Sequence, residues 1–315
     1  MKKRSALHFV LMIGVANFFA DFTYEGARGI IGPFLGSLGA SAAIVGFVAG
    51  LGELLGYGLR SISGYLADKS HRHWAFAFVG YAINMFAVPA LALTGRWPAA
   101  ASLVVAERAG RGIRKPTVEA MLSYAGRSIG AGWVFGLNEA LDQAGATIGP
   151  LLMALILYLG GGYRTGFGVL LVPALLCLAT MVLARSLHPR PHELEKDAGH
   201  TFATPNLTPA YWIYLTAGAL LAAGFADFAL IGFHFQKAHV MPGNLVPVFY
   251  SVAMAASALA SIPLGRLFDK LGPNISLFAF LISAAAAPLI FLGASSLALI
   301  GMIFWGIGMS AQGSL

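Results

Sequence analysis

The chain has 315 residues, of which 58% are hydrophobic and only 10% charged, with a formal net charge of +7. A soluble domain carries roughly 25% charged residues, so water is excluded as the main solvent of this surface. The basic residues lie in short connectors and inside apolar spans and form no water-facing stripe, which argues against nucleic acid; the lone Cys177 excludes an internal disulfide framework and any multi-cysteine metal site.

Apolar blocks of about 20 residues or more, the length that crosses a hydrocarbon core of about 30 Å, repeat along the chain. Lys2, Lys3 and Arg4 precede the first, as in a secretory signal, yet the run continues past Ala20 without a clear small-residue cleavage site and reads as the first membrane helix. Gly, Pro and charge boundaries predict helices over His8 to Ile30, Ser41 to Leu66, Trp74 to Leu93, Trp97 to Ser123, Ile129 to Leu159 and Thr165 to Ala184. A polar stretch from Arg185 to Pro209 follows. Four more helices are predicted over Ala210 to Ile231, Asn244 to Phe268, Ile275 to Leu292 and Ser295 to the end. The domain reading is a six-helix bundle over residues 1–186, a linker over 187–208 and a second bundle over 209–315.

Lysine and arginine accumulate on the cytoplasmic side of membrane proteins. With the amino terminus inside, the inner segments hold Lys2, Lys3, Arg4, Lys69, Arg72, Arg127, Arg185, Arg190, Lys196, Arg266 and Lys270, and the outer ones Arg96, Arg164 and Lys237. Eleven against three gives a cytoplasmic amino terminus; the expected location is a plasma membrane of the bacterial inner-membrane type. Two segments also repeat. Gly64-Tyr65-Leu66-Ala67-Asp68-Lys69 returns as Gly265-Arg266-Leu267-Phe268-Asp269-Lys270, and Phe19-Ala20-Asp21-Phe22 returns as Phe225-Ala226-Asp227-Phe228. The plan inferred is two parallel six-helix repeats, the second incomplete.

At these residues the chain resembles the major facilitator superfamily, whose signature G-x-L-x-D-(R/K)-x-G-(R/K) lies between helices two and three and, weakened, between helices eight and nine. Gly64, Leu66, Asp68, Lys69 and Arg72 match the first copy, with His71 where glycine is usual; Gly265, Leu267, Asp269, Lys270 and Gly272 match the second. The resemblance implies an all-α, two-bundle membrane carrier with helices one, four and seven around a central cavity. It also implies a conformational latch at Gly64, Asp68, Lys69, Arg72, Gly265 and Asp269, Asp68 engaging helix eleven in the family. The family has twelve helices, and this chain reads as stopping near the end of the tenth. The alternative reading of Lys69 and its neighbours is a basic loop that only anchors topology.

Helix four carries Arg108-Ala109-Gly110-Arg111-Gly112, close to the family's R-x-x-Q-G with Arg111 in place of glutamine. Arginine at membrane depth costs at least about 2.5 kcal/mol, so Arg108, Arg111 and Lys115, with Glu107, Arg114 and Glu119 nearby, face a cavity or acidic partners. Substrate contact and a purely structural ion-pair network explain them equally well. Helix five carries Gly136, Gly145, Gly149 and Pro150 at the spacing of the antiporter motif of drug exporters in the superfamily, with Met153 and Ala154 where the closing glycine pair is usual. Small residues there let helices approach closely, and generic glycine packing is the alternative meaning.

Asp21, Glu25 and Arg28 in helix one, Glu53 and Arg60 in helix two, Glu139 and Asp142 in helix five and Asp227 in helix seven are ionisable groups within spans and functional candidates for that reason. A desolvated carboxyl is suited to carrying a proton. The structural alternative pairs Glu25 with Arg28, and Glu53 with Arg60 or Arg108, as fixed salt bridges. Gly126 to Gly130 matches a nucleophile-elbow pattern but follows no strand; His188, His192 and His200 lack metal-ligand spacing, and no phosphate-binding loop occurs.

The resulting expectation is a secondary transporter and not an enzyme, exporting small molecules in exchange for protons through Asp21, Glu25, Arg108, Arg111, Glu139, Asp142 and Asp227, as a monomer in the lipid bilayer without a cofactor or metal. An uptake or exchange carrier for an organic anion and a non-transporting remnant are the competing readings.

Overall fold

The computed structural model describes residues 2–194, 212, 216, 225–271 and 281–313, with the backbone alone at 2–3, 131–132, 193–194, 261–271 and 311–313. Among these residues every regular element is a helix: α1 (Lys2–Ser37), α2 (Ala42–Ser70), α3 (His73–Ala90), α4 (Trp97–Ile129), α5 (Ala131–Tyr158), α6 (Tyr163–Val169), α7 (Leu171–Leu187), α8 (Phe228–Lys237), α9 (Val246–Leu271), α10 (Ala286–Leu292) and α11 (Ser295–Gly313), with short 3-10 turns at Leu91–Leu93, Pro191–Leu194 and Gly243–Leu245. Glu195, Lys196 and Asp197 of the linker, most of the first half of the predicted seventh helix, and Gly272 lie outside the described residues.

Among the described residues six stretches are long and apolar enough to cross a bilayer: Arg4–Ser37, Ala42–Ser70, His73–Leu93, Trp133–Tyr158, Tyr163–Leu187 and Gly243–Ala260. Large apolar side chains such as Phe47, Leu54, Leu155 and Val172 stand exposed on their outer faces, where lipid rather than water is the matching solvent. α4 is missing from this set although it has 33 residues, because its middle is strongly charged. Its solvation comes from neighbouring helices. Gly112 meets the carbonyl of Gly56 in α2, and the Cβ that Gly110 lacks would come within 2.5 Å of the Asn84 nitrogen in α3. Close backbone approach on two sides seals the charged face inside.

Several helices differ from their predicted extents. α1 is longer at both ends than His8 to Ile30, and Pro33 is contained within it. The predicted sixth helix is divided at Leu170 into α6 and α7. The predicted seventh helix is not continuous through its acidic residue: residues 225–227 are non-helical, and Asp227 is the N-cap of α8, its side chain accepting from the Ala229 N–H at 2.8 Å. An acceptor at that position satisfies an amide that the helix itself leaves open.

The first seven helices pack as one group, with a core built by Phe9, Ile13, Tyr81, Met85, Met121 and Met181, and α8 to α11 as another around Phe228, Tyr250, Met302 and Trp305. The two groups meet near the end of the bundle where α1 finishes. Gly32 lies against the Ala229 carbonyl and Pro33 against Gly232; Tyr163 donates to Gln236 at 2.8 Å, Ser251 to the Thr147 carbonyl at 3.0 Å, and Tyr250 to Glu25. Toward the other end of α5, Trp133, Gly136 and Glu139 are exposed.

Candidate functional site

The site starts from α1. Asn17, Asp21, Glu25 and Arg28 succeed one another at helical spacing, so they form one polar stripe on an otherwise apolar helix and all four are buried. α4 answers it with Glu107, Arg108, Arg111 and Arg114, α2 contributes Glu53, and α8 contributes Asp227 through its capping turn.

Arg28 is the hub. Its guanidinium lies 2.7 Å from Asp227, 3.1 Å from Glu53 and 3.5 Å from Glu25. Arg108 pairs with Glu53, lies 3.2 Å from Glu107 and 3.5 Å from Asp227, and Arg111 reaches Glu53 at 3.2 Å while its guanidinium sits 5.2 Å from the Tyr24 ring centre. One oxygen of Asp227 caps α8 and the other takes both arginines. Beside this cluster Arg28, Ile31, Leu35, Val48, Val104 and Ala229 line a void of about 10 Å³, room for about one water molecule.

A second group lies deeper in the first half. Arg114 donates to Asn84 at 3.2 Å and Asn17 at 3.3 Å and reaches Asp21 at 3.5 Å; its guanidinium also sits 4.7 Å from the Tyr81 ring centre. Tyr81 donates to Asn17, whose amide donates to Asn138 at 2.8 Å, and Asn138 donates to Asp142 at 3.1 Å. Asn84 in turn donates to Glu107 at 2.9 Å. The two groups are therefore one hydrogen-bonded network running from Asp142 to Asp227. At its Asp142 end, the Oδ1 oxygen is buried and has no hydrogen-bond partner.

Of the residues expected to act in transport, Asp21, Glu25, Arg108, Arg111, Asp142 and Asp227 are brought into this network. Glu139 is not: it is exposed and accepts from Gln143 at 2.8 Å. Lys115 is exposed as well. Glu53 pairs with three arginines and not with Arg60, whose guanidinium sits 4.7 Å from the Tyr57 ring centre. The charged groups expected from helices one, four and seven are thus joined by Glu53 of α2. Sequence reasoning left Arg28 out of the transport set and missed Asn17, Tyr81, Asn84, Asn138 and Tyr250; the asparagines inside apolar spans were the available signal.

In the antiporter-like motif, Gly145 and Gly149 lie against the carbonyls of Phe18 and Phe22 in α1, and Pro150 packs near Gly29. These are the close approaches the spacing predicts. Gly136 does not join them, as nothing stands within 4 Å of where its Cβ would be. It is nine residues from Gly145, half a helical turn out of phase. In the last two turns of α2, Asp68 meets His73 at 3.1 Å, the Lys69 ammonium sits 5.7 Å from the Tyr65 ring centre, and Gly64 makes ordinary contact with Pro116. Arg72 is the N-cap residue of α3 without a side-chain cap bond. His71 takes φ +55°, the left-handed conformation for which the signature's glycine is suited. Gly265 and Asp269 lie in α9.

A helical bundle whose charged residues are gathered between two halves is the construction of a membrane carrier. The chain belongs to the Major Facilitator Superfamily, whose family profile matches residues 13–315. It is similar to the uncharacterized protein Rv2265 of Mycobacterium tuberculosis, 38% identical over 317 residues, covering 98% of this chain and 77% of the relative. It is also similar to the uncharacterized MFS-type transporter MJ1317 of Methanocaldococcus jannaschii, 25% identical over 270 residues, 84% of this chain and 67% of that one. Among solved structures, the nucleoside transporter NupG (D323A mutant) superposes with a TM-score of 0.76 at 12% identity, covering 96% and 80% of the two chains. A bacterial homolog of the human lysosomal transporter Spinster, in an inward-facing and occupied conformation, gives 0.68 at 15% identity, covering 96% and 72%. These likenesses are of fold. The chain is accordingly an integral membrane protein of a transporter family.

Proposed function

We propose that this transporter exports small molecules by alternating access in exchange for protons, and that Asp142 carries the coupled proton. The observation that carries this reading is the unpartnered, buried Oδ1 of Asp142 at one end of a hydrogen-bonded network whose other end, Asp227, belongs to the opposite half. The network holds six carboxylates, Asp21, Glu25, Glu53, Glu107, Asp142 and Asp227, against four guanidiniums, Arg28, Arg108, Arg111 and Arg114. Two negative charges are in excess, and an uncompensated charge at membrane depth is costly. Bound protons offset that excess, and their release has to be matched by a change in the network.

The change available is separation of the halves. Arg28 and Arg108 bridge to Asp227, and Glu25 to Tyr250, only while the two groups of helices touch. With the amino terminus in the cytoplasm, as the lysine and arginine distribution supports, that contact closes the outer end and this conformation faces inward. Gly136 and Glu139, exposed toward the other end of α5, would be covered when the inner end closes. The antiporter-like spacing on α5 supports export over uptake. The organic-anion reading is weakened because all four arginines already face carboxylates, which an anion would have to displace.

The test is efflux of a panel of labelled small molecules from proteoliposomes, with and without a pH gradient, for the unaltered chain and Asp142→Asn. Acceleration by the gradient in the first and indifference in the second is expected. Flux that ignores the gradient, or full gradient dependence in the Asn variant, overturns the proposal.

A further inference from the structure

Away from the ion network, the fold joins two histidines that the sequence places 180 residues apart. His8 on α1 and His188, the residue that ends α7, have ring centres 5.7 Å apart and ring planes at 61°. His8 is exposed, whereas His188 is only 9% exposed. The backbone of His188 is fixed twice, donating to the Ala184 carbonyl at 2.8 Å and accepting from the Trp74 indole at 3.2 Å, and its ring packs edge-on against Phe9 with centres 5.4 Å apart. α1, α3 and α7 thus hold the ring in place. Its Nε2 is nevertheless buried without a hydrogen-bond partner. Native interiors rarely leave such an atom unmatched, and an imidazole nitrogen with an unused lone pair is the form that binds a metal. Burial, followed by the neighbouring His8, holds His188 below the ordinary histidine range, so the ring is neutral near pH 7.

We propose that His8 and His188 form a two-histidine site for a divalent transition-metal ion of the zinc, nickel or copper type, with water in the remaining positions. Two imidazoles sharing one tetrahedral ion at about 2.1 Å each have ring centres about 5 to 6 Å apart, which this pair matches. Imidazole nitrogen is a preferred ligand of those three ions and a poor one for magnesium or calcium. Among the described residues no group of three or more His, Cys, Asp and Glu side chains is placed to hold a metal. The two imidazoles are therefore the ligands these residues offer, His8 on the exposed side and His188 on the buried side. Its occupation ties the start of α1 to the end of α7, where the chain leaves the first half. This inference stands independently of proton coupling and of the direction of transport.

The experiment is calorimetric titration of the full chain, purified without a histidine tag and stripped with chelator, using nickel chloride at pH 7.5 and pH 5.5. One ion per chain is expected at pH 7.5, with binding lost at pH 5.5 because the ligands must be deprotonated. His8→Gln and His188→Gln are each expected to weaken binding by at least about tenfold, on the scale of losses seen when metal-site groups are changed, and His192→Gln to leave it unaltered. The exposed position of His8 makes its variant the control for folding, checked by thermal unfolding without metal. No binding by the unaltered chain, binding insensitive to both substitutions, or an equal loss in His192→Gln overturns the site.

Discussion

The ionisable groups at membrane depth fall into two regions that differ in whether opposite charges or neutral amides meet them. Around Arg28, acidic residues from α1, α2 and α8 converge on cations from α1 and α4, and one carboxylate, Asp227, simultaneously caps a helix. Around Asp142, the contacts are amides and hydroxyls, the nearest cation is reached through two asparagines, and one carboxylate oxygen meets nothing. The first region spans both halves and the second lies wholly within one. Each region leaves a buried atom without a hydrogen-bond partner, Arg28 Nε in the first and Asp142 Oδ1 in the second; the difference is that ion pairs across an interface hold a conformation, whereas a carboxyl bonded only to amides inside one half can change charge without breaking an ion pair.

Removing the hub should break that contrast most strongly. Arg28→Ala leaves Glu25, Glu53 and Asp227 around an absent cation, and breaking a buried pair typically costs about 3–5 kcal/mol. A large drop in unfolding temperature of the purified chain is expected; an unchanged one would mean the cluster is not a stabilising bridge. Next in size is the backbone contact that positions the network. Gly149→Leu drives a side chain into the Phe22 carbonyl of α1 and should cost about 1–3 kcal/mol through overpacking. Gly136→Leu, which meets open space, should stay within about 0.5 kcal/mol in the same unfolding measurement. Equal losses in the two variants would remove the distinction between them.

Asp142→Asn sharpens the comparison from the other side. It should shift stability by less than about 1 kcal/mol, since no ion pair to Asp142 is broken, while pH-driven flux is lost. A stability loss as great as that of Arg28→Ala would place Asp142 with the structural cluster. Asp68→Asn comes lower still in stability, because Asp68 is exposed and its pair with His73 contributes about 0–1 kcal/mol. Its expected effect is a slower cycle with substrate affinity retained, read from the rate and half-saturation of flux; a change in affinity alone would remove it from the latch. The smallest effect belongs to His188. Its folded-state value is lowered, so the unfolded chain binds the proton more readily, and stability should fall as pH drops below the ordinary 6.5 and level off below the folded value. Unfolding measured across that range should show a shallower pH slope in His188→Gln than in the unaltered chain.

Much of the molecule is legible in the residues alone. Blocks of apolar residues long enough to cross a bilayer determine helices, because a bilayer leaves no other solvent for backbone amides than the helix itself, and the repeated Gly64-to-Lys69 and Gly265-to-Lys270 segments identify the transporter plan. The spacing of Gly145 and Gly149 likewise determines a close helix contact, since one face of a helix is a local property. What the letters could not decide is who answers whom. Glu53 had Arg60 two turns along the same face of α2 and Arg108 fifty-five residues off, and only the glycine-lined approach of α4 to α2 selects the distant partner. Asp227 looks like the middle of a helix until the break at residues 225–227 makes it a cap and turns its second oxygen toward the other half. His8 and His188 carry no spacing signal, because their nearness is produced by the packing of α1 beside α7. Desolvation makes each buried charge require a partner, and the three-dimensional arrangement of helices determines which partner it finds.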